Sequence, residues 1–354
     1  MPSSRTSLTR GGKKHARAAL IALCRRGLKG AAFGQELRAR LRRLVDFDAY
    51  CLNACDTASG VVTSSVGDGL ESEQARALFA LEARAVDRHC LRDLFAGPVR
   101  AGALWLATSG HPEQSLRMRE IFIPLGFGDE LRAALLVGQT CYGYLHLFRS
   151  AQRPPFSALD LAEVSRVSPH LARGLRAAHA PRARGPAPPL PARVDPGPAL
   201  LLLDAADAVL EKSADAEALL AARDTLRVDS GLPHVVRDVA SRARRGEAAR
   251  ATFGTESRAP LSVSAVQLGQ QTAIVIDEPS AHELDELGLS AFDLTQRERA
   301  VSRRIAAGES NQRIALTLGI SLYTVKDHVR AVLLKTGCAT RSEFAARLQR
   351  RSAR

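Results

Sequence analysis

The chain predicts a multidomain α+β protein, with antiparallel sheets, that ends in an all-α unit. Three observations carry this. Up to about residue 280 the apolar positions switch between a spacing of 3.6 and a spacing of two, the signatures of helices and half-buried strands. Residues 180–199 interrupt the pattern with seven prolines, which remove backbone donors and favour extended chain. From Leu294 onward only helical spacing remains. A chain of 354 residues with 45% hydrophobic content supports two or three cores. The boundaries follow as 13–178, a linker over 180–199, 200–280, a connector over 281–293, and 294–350.

Within the first unit, Leu20, Ile21, Leu23, Cys24 and Leu28 fit one helix over Lys13–Leu28, and Phe33, Leu37, Leu41, Leu44 and Val45 fit a second. The period then changes, so Ala49–Ala54 and Val61–Ser65 predict strands joined through the turn Asp56-Thr57-Ala58-Ser59-Gly60. A helix over about Glu71–Leu91 follows, with Ala75, Leu78, Phe79 and Val86 available for packing. Strand patterns recur at Gly102–Ala107, Ile121–Leu125, Leu131–Val137 and Cys141–Phe148, before an amphipathic helix over about Ser157–Ala178. An alternative exists at the third of these, where Asp129 and Glu130 would cap a helix beginning near Leu131. This order predicts an antiparallel sheet with helices on one side or around its rim.

After the linker, Leu200–Leu203 and Val209–Glu211 predict a strand and its return, Ala214–Ala222 and Leu232–Arg245 predict helices, and Leu261–Gln267 and Thr272–Ile276 predict strands. Arg242, Arg244 and Arg245 read as a solvated face. The acidic stretch 278–293 reads as a coupling segment, with Leu284, Leu287 and Leu294 docking against neighbours.

Formal charge is +13, from 50 basic and 37 acidic residues. Thirteen Lys/Arg against four Asp/Glu in residues 294–354 concentrate a local +9 there, which favours a polyanionic partner. The six cysteines, at 24, 51, 55, 90, 141 and 338, lie in mostly apolar surroundings without metal-ligand spacing. No signal peptide precedes them, so the expectation is buried free thiols in a reducing cytoplasm. No apolar stretch approaches the roughly 20 residues that cross a membrane. A nucleophile elbow, a metal cluster and a Walker A loop are missing from the sequence, so neither an enzyme nor a cofactor is expected.

The C-terminal unit is specified closely. Thr295 and Glu298 suit a reciprocal cap, with a helix to about Ala307 that buries Val301 and Ile305 and is ended by Gly308. Ser310 caps a second helix with Ile314, Ala315 and Leu318 toward the core. Gly319 makes the turn, Ile320 plugs it, and Ser321 caps a third helix over Leu322–Thr336. A fourth begins near Arg341 after Thr340 and Glu343. On the third helix Val325, Val329, Val332 and Leu333 form the apolar side. Lys326 and Arg330, one turn apart, point the other way with Asp327 between them. That is the geometry of a helix-turn-helix entering a major groove, where lysine or arginine donates to guanine. Asp327 would accept from cytosine, orient a neighbouring cation, or face solvent. Asn311, Ser321, Tyr323 and Thr324 are placed to donate to phosphates near helix N-termini, and His328 either joins them or is structural.

Residues 294–298 (LTQRE), 308–315 (GESNQRIA), 324–329 (TVKDHV) and 335–337 (KTG) appear in one register that resembles the LuxR-type DNA-binding domain. The resemblance implies a third helix that reads double-stranded DNA through Lys326, Asp327 and Arg330, and a fourth helix that pairs two subunits, here through Phe344, Ala345 and Leu348. Ser302 and Arg304 depart from the larger apolar residues usual in that family, as Thr336 departs from leucine. A buried, unpaired Arg304 would be costly, so it must reach solvent, a partner or another domain. Segments 46–60, 119–135 and 141–150 resemble a GAF domain, and 200–280 resembles a small PAS-like domain. The GAF resemblance implies sensing of a small-molecule effector or dimerisation. Trp105, Phe122, Tyr142 and Tyr144 would then surround a ligand, or serve as ordinary core and surface aromatics.

Overall fold

A computed structural model of the chain describes residues 10–26, 30–68, 74, 77–78, 81–82, 87–179, 198–221, 232–253 and 260–352. The linker residues 180–197 and most of the helix expected over Glu71–Leu91 lie outside these.

The first unit contains α1 (Arg10–Arg25), α2 (Gly30–Leu41), β1 (Ala49–Cys55), β2 (Val62–Gly67), α3 (Leu91–Ala96), β3 (Ala101–Ala103), α4 (Leu104–Ala107), β4 (Phe127–Val137), β5 (Thr140–Ser150) and α5 (Ala158–His179). Its strands form one antiparallel sheet in the order β2-β1-β5-β4-β3. One face buries Leu52, Leu131, Ala133, Leu145 and Leu147 against Leu20 and Leu23 of α1, Leu37 and Leu41 of α2, and Val164, Val167 and Leu171 of α5.

The other face carries a buried ionic layer. Gly102, Arg132, His146 and Cys51 lie side by side across β3, β4, β5 and β1. Glu130 accepts from Arg117 Nε at 2.7 Å, from Arg132 Nε at 2.6 Å, and shares a 3.1 Å contact with His146 Nδ1. Arg132 also pairs with Glu82, and Arg117 with Asp87 at 2.9 Å. Both arginines are 1% exposed. Burial opposes charge on Glu130, but the two guanidiniums overcome it and hold its carboxyl well below the usual range.

Alternation along β5 fails at one residue. Leu135 faces Gly143 while Leu136 faces Cys141, so Tyr142 is an extra, bulged residue. Tyr142 therefore joins the α1–α5 core, although Tyr144, two residues on, packs on the opposite side with Cys55, Leu94, Ala134 and Cys141.

The second unit contains β6 (Ala199–Leu203), β7 (Val209–Lys212), α6 (Ala214–Ala221), α7 (His234–Arg244), β8 (Arg250–Phe253), β9 (Leu261–Leu268) and β10 (Gln271–Asp277). Its antiparallel order, β7-β6-β10-β9-β8, repeats that of the first sheet strand for strand. Val235, Val236, Val239, Ala240 and Ala243 of α7 pack on Leu261, Val263 and Ile274, and Val61 of the first unit enters the same core. The two units are tied there: Val62 N–H donates to Asp238 at 2.9 Å, and Arg242 donates to the Ser59 carbonyl at 2.8 Å.

The structure corrects several expectations. Of Gly102–Ala107, only the first two residues belong to a strand, because the chain turns helical at Leu104 and Trp105 N–H donates to Asp129 at 2.9 Å. Ile121–Leu125 is no strand. Met118–Phe122 forms a π-helical turn that buries Met118, Ile121 and Phe122 together, at helical spacing. Asp129 and Glu130 lie inside β4 and cap no helix. The strand β8 was not expected, and Arg242, Arg244 and Arg245 are bonded to Asp238, Asp207 and Glu247 rather than simply solvated.

The connector is itself a helix, α8 (Ala281–Ser290), followed by α9 (Gln296–Ala306), α10 (Asn311–Leu318), α11 (Leu322–Thr336) and α12 (Arg341–Ser352). Ser280 and Glu283 form a reciprocal cap at the start of α8. Glu283 also accepts from Arg250 at 2.7 Å, Thr252 at 3.1 Å and Ser262 at 2.7 Å, which seats α8 on β8 and β9. Among the described residues, no helix is long and apolar enough to cross a membrane.

Candidate nucleic-acid interface

The local chemistry of residues 294–348 builds a four-helix unit whose third helix is α11. Thr295 Oγ1 accepts from Glu298 N–H at 3.2 Å, and Glu298 Oε2 accepts from Thr295 N–H at 2.6 Å, closing the cap of α9. The same carboxylate receives Lys335 Nζ at 2.7 Å, fastening the far end of α11 to the start of α9. Burial raises the cost of its charge, yet Lys335 and the Thr295 amide hold the Glu298 carboxyl below its ordinary range. Gly308 at φ 78° and Gly319 at φ 63° end α9 and α10 in the left-handed region, which a β-carbon disfavours. Ser310 and Ser321 then accept from the Arg313 and Thr324 amides, opening α10 and α11. Val301, Ile305, Ile314, Val325, Val332, Phe344 and Leu348 form the core with Leu289 and Leu294.

Lys326, Asp327 and Arg330 are exposed on α11, along one stripe with Tyr323. No side-chain hydrogen bond or ion pair engages those three among the described residues. A rise of about 1.5 Å per residue sets Lys326 and Arg330 about 6 Å apart along the helix, roughly two base-pair steps. Ser321 and Thr324 share a 2.8 Å hydroxyl contact, so the cap already occupies part of their bonding capacity. Asn311 Oδ1 accepts from Arg341 Nη1 at 2.8 Å, which leaves its amide N–H group for an outside acceptor. His328 is half-buried beneath the stripe.

The fourth helix differs from expectation. Phe344 and Leu348 are each 1% exposed, consumed by packing against α8 and α9, and Ala345 is half-buried. As an exposed pairing surface, the first and last of these are excluded by burial within the chain. Arg304 resolves simply, because it is part-exposed and pairs with Glu309 at 2.8 Å. Thr336 satisfies its hydroxyl on the Val332 carbonyl at 2.8 Å. Ser302 is fully buried and its hydroxyl has no hydrogen-bond partner among the described residues.

Trp105, Phe122, Tyr142 and Tyr144 do not converge. Trp105 is on the surface, Phe122 packs with Leu104 and Phe148, and the two tyrosines lie on opposite faces of the sheet. Tyr142 has a different task. Its hydroxyl donates to the Ser290 carbonyl at 2.9 Å and receives Arg299 Nη2 at 3.4 Å, so it joins the first unit to the end of α8 and to α9. Arg176 pairs with Asp293 at 3.3 Å beside it. Sequence reasoning missed this contact, since a bulge is invisible in a strictly alternating pattern. It also passed over α8, although Ser280-x-x-Glu283 carries the capping signal.

Residues 293–348 match the family of bacterial regulatory proteins, luxR family. The C-terminal unit is thus a LuxR-type helix-turn-helix domain. The chain is 46% identical over 54 residues to an uncharacterized transcriptional regulatory protein, YhcZ, of Bacillus subtilis, a match covering 15% of this chain and about a quarter of that protein's length. Among solved structures, SdiA of Escherichia coli aligns over 96% of this chain and 97% of its own, at 13% identity and a TM-score of 0.33. The phycoerythrobilin-bound GAF domain of a cyanobacterial phytochrome aligns over 49% and 97%, at 15% identity and a TM-score of 0.32.

Proposed function

We propose that the protein is a one-component transcription regulator, in which two sensory units control a DNA-binding unit that reads a duplex through α11. The observation that carries this reading is the exposed, unengaged pair Lys326 and Arg330, one helical turn apart on the second helix of a helix-turn-helix. Lys326, Asp327 and Arg330 meet base edges, while Asn311, Ser321, Tyr323, Thr324 and His328 lie toward the phosphates. The first unit is GAF-like and the second PAS-like. The shared strand order supports treating both as one kind of sensor scaffold. Two copies act together on two half-sites about 34 Å apart, in the cytoplasm, with an effector or protein partner setting the equilibrium. A coupling of about 1–3 kcal/mol is enough to change occupancy several-fold or more.

The test is selection of a duplex from a random pool, followed by titration at several salt concentrations. Lys326→Ala and Arg330→Ala are each expected to weaken binding by about 5- to 150-fold, the equivalent of about 1–3 kcal/mol, and to relax specificity at separate positions. Unchanged, salt-independent binding by both variants would reject α11 as the reader. Loss of a protein contact with DNA binding intact would favour a scaffold role for the unit.

A further inference from the structure

Cys55, at the end of β1, and Cys141, at the start of β5, place their sulfurs 3.9 Å apart. The other free cysteines have no sulfur–sulfur contact of this kind among the described residues. The two thiols are unlike. Cys141 donates to the Gly143 carbonyl at 3.3 Å and its sulfur is approached by the Cys55 thiol; that contact, with the Tyr144 hydroxyl, draws its ionisation down despite burial. Cys55 is pushed up by the same contact and by burial. The Cys55 thiol donates toward the Cys141 sulfur, which assigns Cys141 as the attacking sulfur and Cys55 as its resolving partner. The next residue after Cys141 is the bulged Tyr142, whose hydroxyl holds Ser290 and Arg299.

We infer that Cys55 and Cys141 form a reversible dithiol–disulfide site, and that its state is passed through Tyr142 to the connector and the DNA-binding unit. The pair is buried beneath Leu94 of the six-residue α3, which selects a small uncharged oxidant of the peroxide class over a bulky disulfide. The Cys141 thiolate attacks one peroxide oxygen, the O–O bond breaks, and sulfenic acid forms while the departing oxygen takes up a proton as water. The Cys55 sulfur then attacks the sulfenic sulfur, the S–O bond breaks, and a second water leaves with the Cys55 proton. Two thiols and one hydrogen peroxide give one disulfide and two waters. Bonding draws the sulfurs together from 3.9 Å to about 2.05 Å, and the movement falls on the strand end that carries Tyr142. Hydrogen bonds weaken steeply outside their narrow range, so the share of this closure that the β5 end passes to Tyr142 weakens its bond to Ser290. The thiol chemistry stands alone, whereas its effect on DNA rests on the reading proposed above.

The test uses the full chain, reduced and then exposed to hydrogen peroxide, with three readouts. These are peptide mapping after differential alkylation, amide hydrogen exchange across 284–299, and binding to a random pool of duplexes of roughly 30 base pairs. The expected result is a Cys55–Cys141 linked peptide reversed by dithiothreitol, faster exchange over 284–299, and a several-fold change in duplex affinity. Cys55→Ala and Cys141→Ala should each abolish all three responses, with folding verified by circular dichroism. Tyr142→Phe should form the disulfide normally but show the fast exchange even when reduced. Linkage through any other cysteine, or oxidation of Cys141 without linkage, overturns the site. A linked peptide with unaltered exchange overturns the transmission. Disulfide and exchange responses in a protein that binds no duplex uphold this inference and reject the DNA reading instead.

Discussion

Single residues decide more here than their chemistry alone suggests. Ser302 sits fully buried in α9 with an unsatisfied hydroxyl, and leaving such a group unpaired costs about 1–3 kcal/mol. Ser302→Ala removes the hydroxyl at little loss of volume. It should therefore raise the thermal midpoint of the full chain, by about 1 kcal/mol of stability, without altering duplex affinity; a lower midpoint would mean that the hydroxyl has a partner in solution. Glu130 is the opposite case, since two arginines depend on it. Glu130→Ala leaves two buried guanidiniums without their shared anion and is expected to cost about 3–5 kcal/mol, read as a fall in the urea midpoint. The sequence showed these charges but not their burial. Arg117, Glu130 and Arg132 look like any surface residues until the fold stacks them on one face. Lys326 and Arg330 were legible, because helical spacing alone fixes which side of α11 they occupy.

At the level of elements, legibility follows the range of the forces. The helices of the DNA-binding unit are set by caps within three or four residues of each end, and α11 runs over Leu322–Thr336 as its Ser321 and Gly337 signals require. The strand expected over Ile121–Leu125 failed because β-branched Ile121 and Ile123 argued locally for it, while burial of Met118, Ile121 and Phe122 on one side prevailed. The connector helix α8 is the element on which coupling depends. Glu283 both closes its cap and receives three groups from β8 and β9, and although burial opposes its charge, Arg250 and Ser262 keep its carboxyl far below the usual range. Glu283→Ala should free the start of α8 from the second sheet, read as faster amide exchange over 281–286, with the α11 amides unaffected. Equal acceleration in α11 would show that the two move as one piece.

The whole molecule is built as two like sheets bridged by α7, with the DNA-binding unit held to the first sheet by Tyr142 and to the second by α8. Its response to acid is shared in the same way. Burial holds His89, His146 and His234 below their ordinary range, His234 to about 4. A histidine depressed in the folded state takes up its proton first when unfolded, so its stabilising effect is complete above about pH 6.5 and is lost as pH falls toward the folded value. Glu130, Glu283 and Glu298 are depressed as well, and their contributions fade only below about pH 4.3. Urea midpoints should accordingly fall between pH 7 and 5, above the range in which these three depressed carboxylates titrate, and His146→Gln should shrink that fall. A midpoint constant over this interval would exclude the buried histidines as its cause.

Tyr142 and Tyr144 owe their separate fates to a single surplus residue in β5, and that makes the strand a kind of phase switch. Deleting Tyr142 itself would restore the beat of the strand and silence it, because Gly143 already faces the same side and carries no group to take the place of the hydroxyl on Ser290. The sheet would keep its pairing and α11 its cations, but the first sheet would no longer hold α8 and α9 through Tyr142. A length change of one residue would thus cut the tie from the first sheet to α8, while Glu283 still fastens α8 to the second.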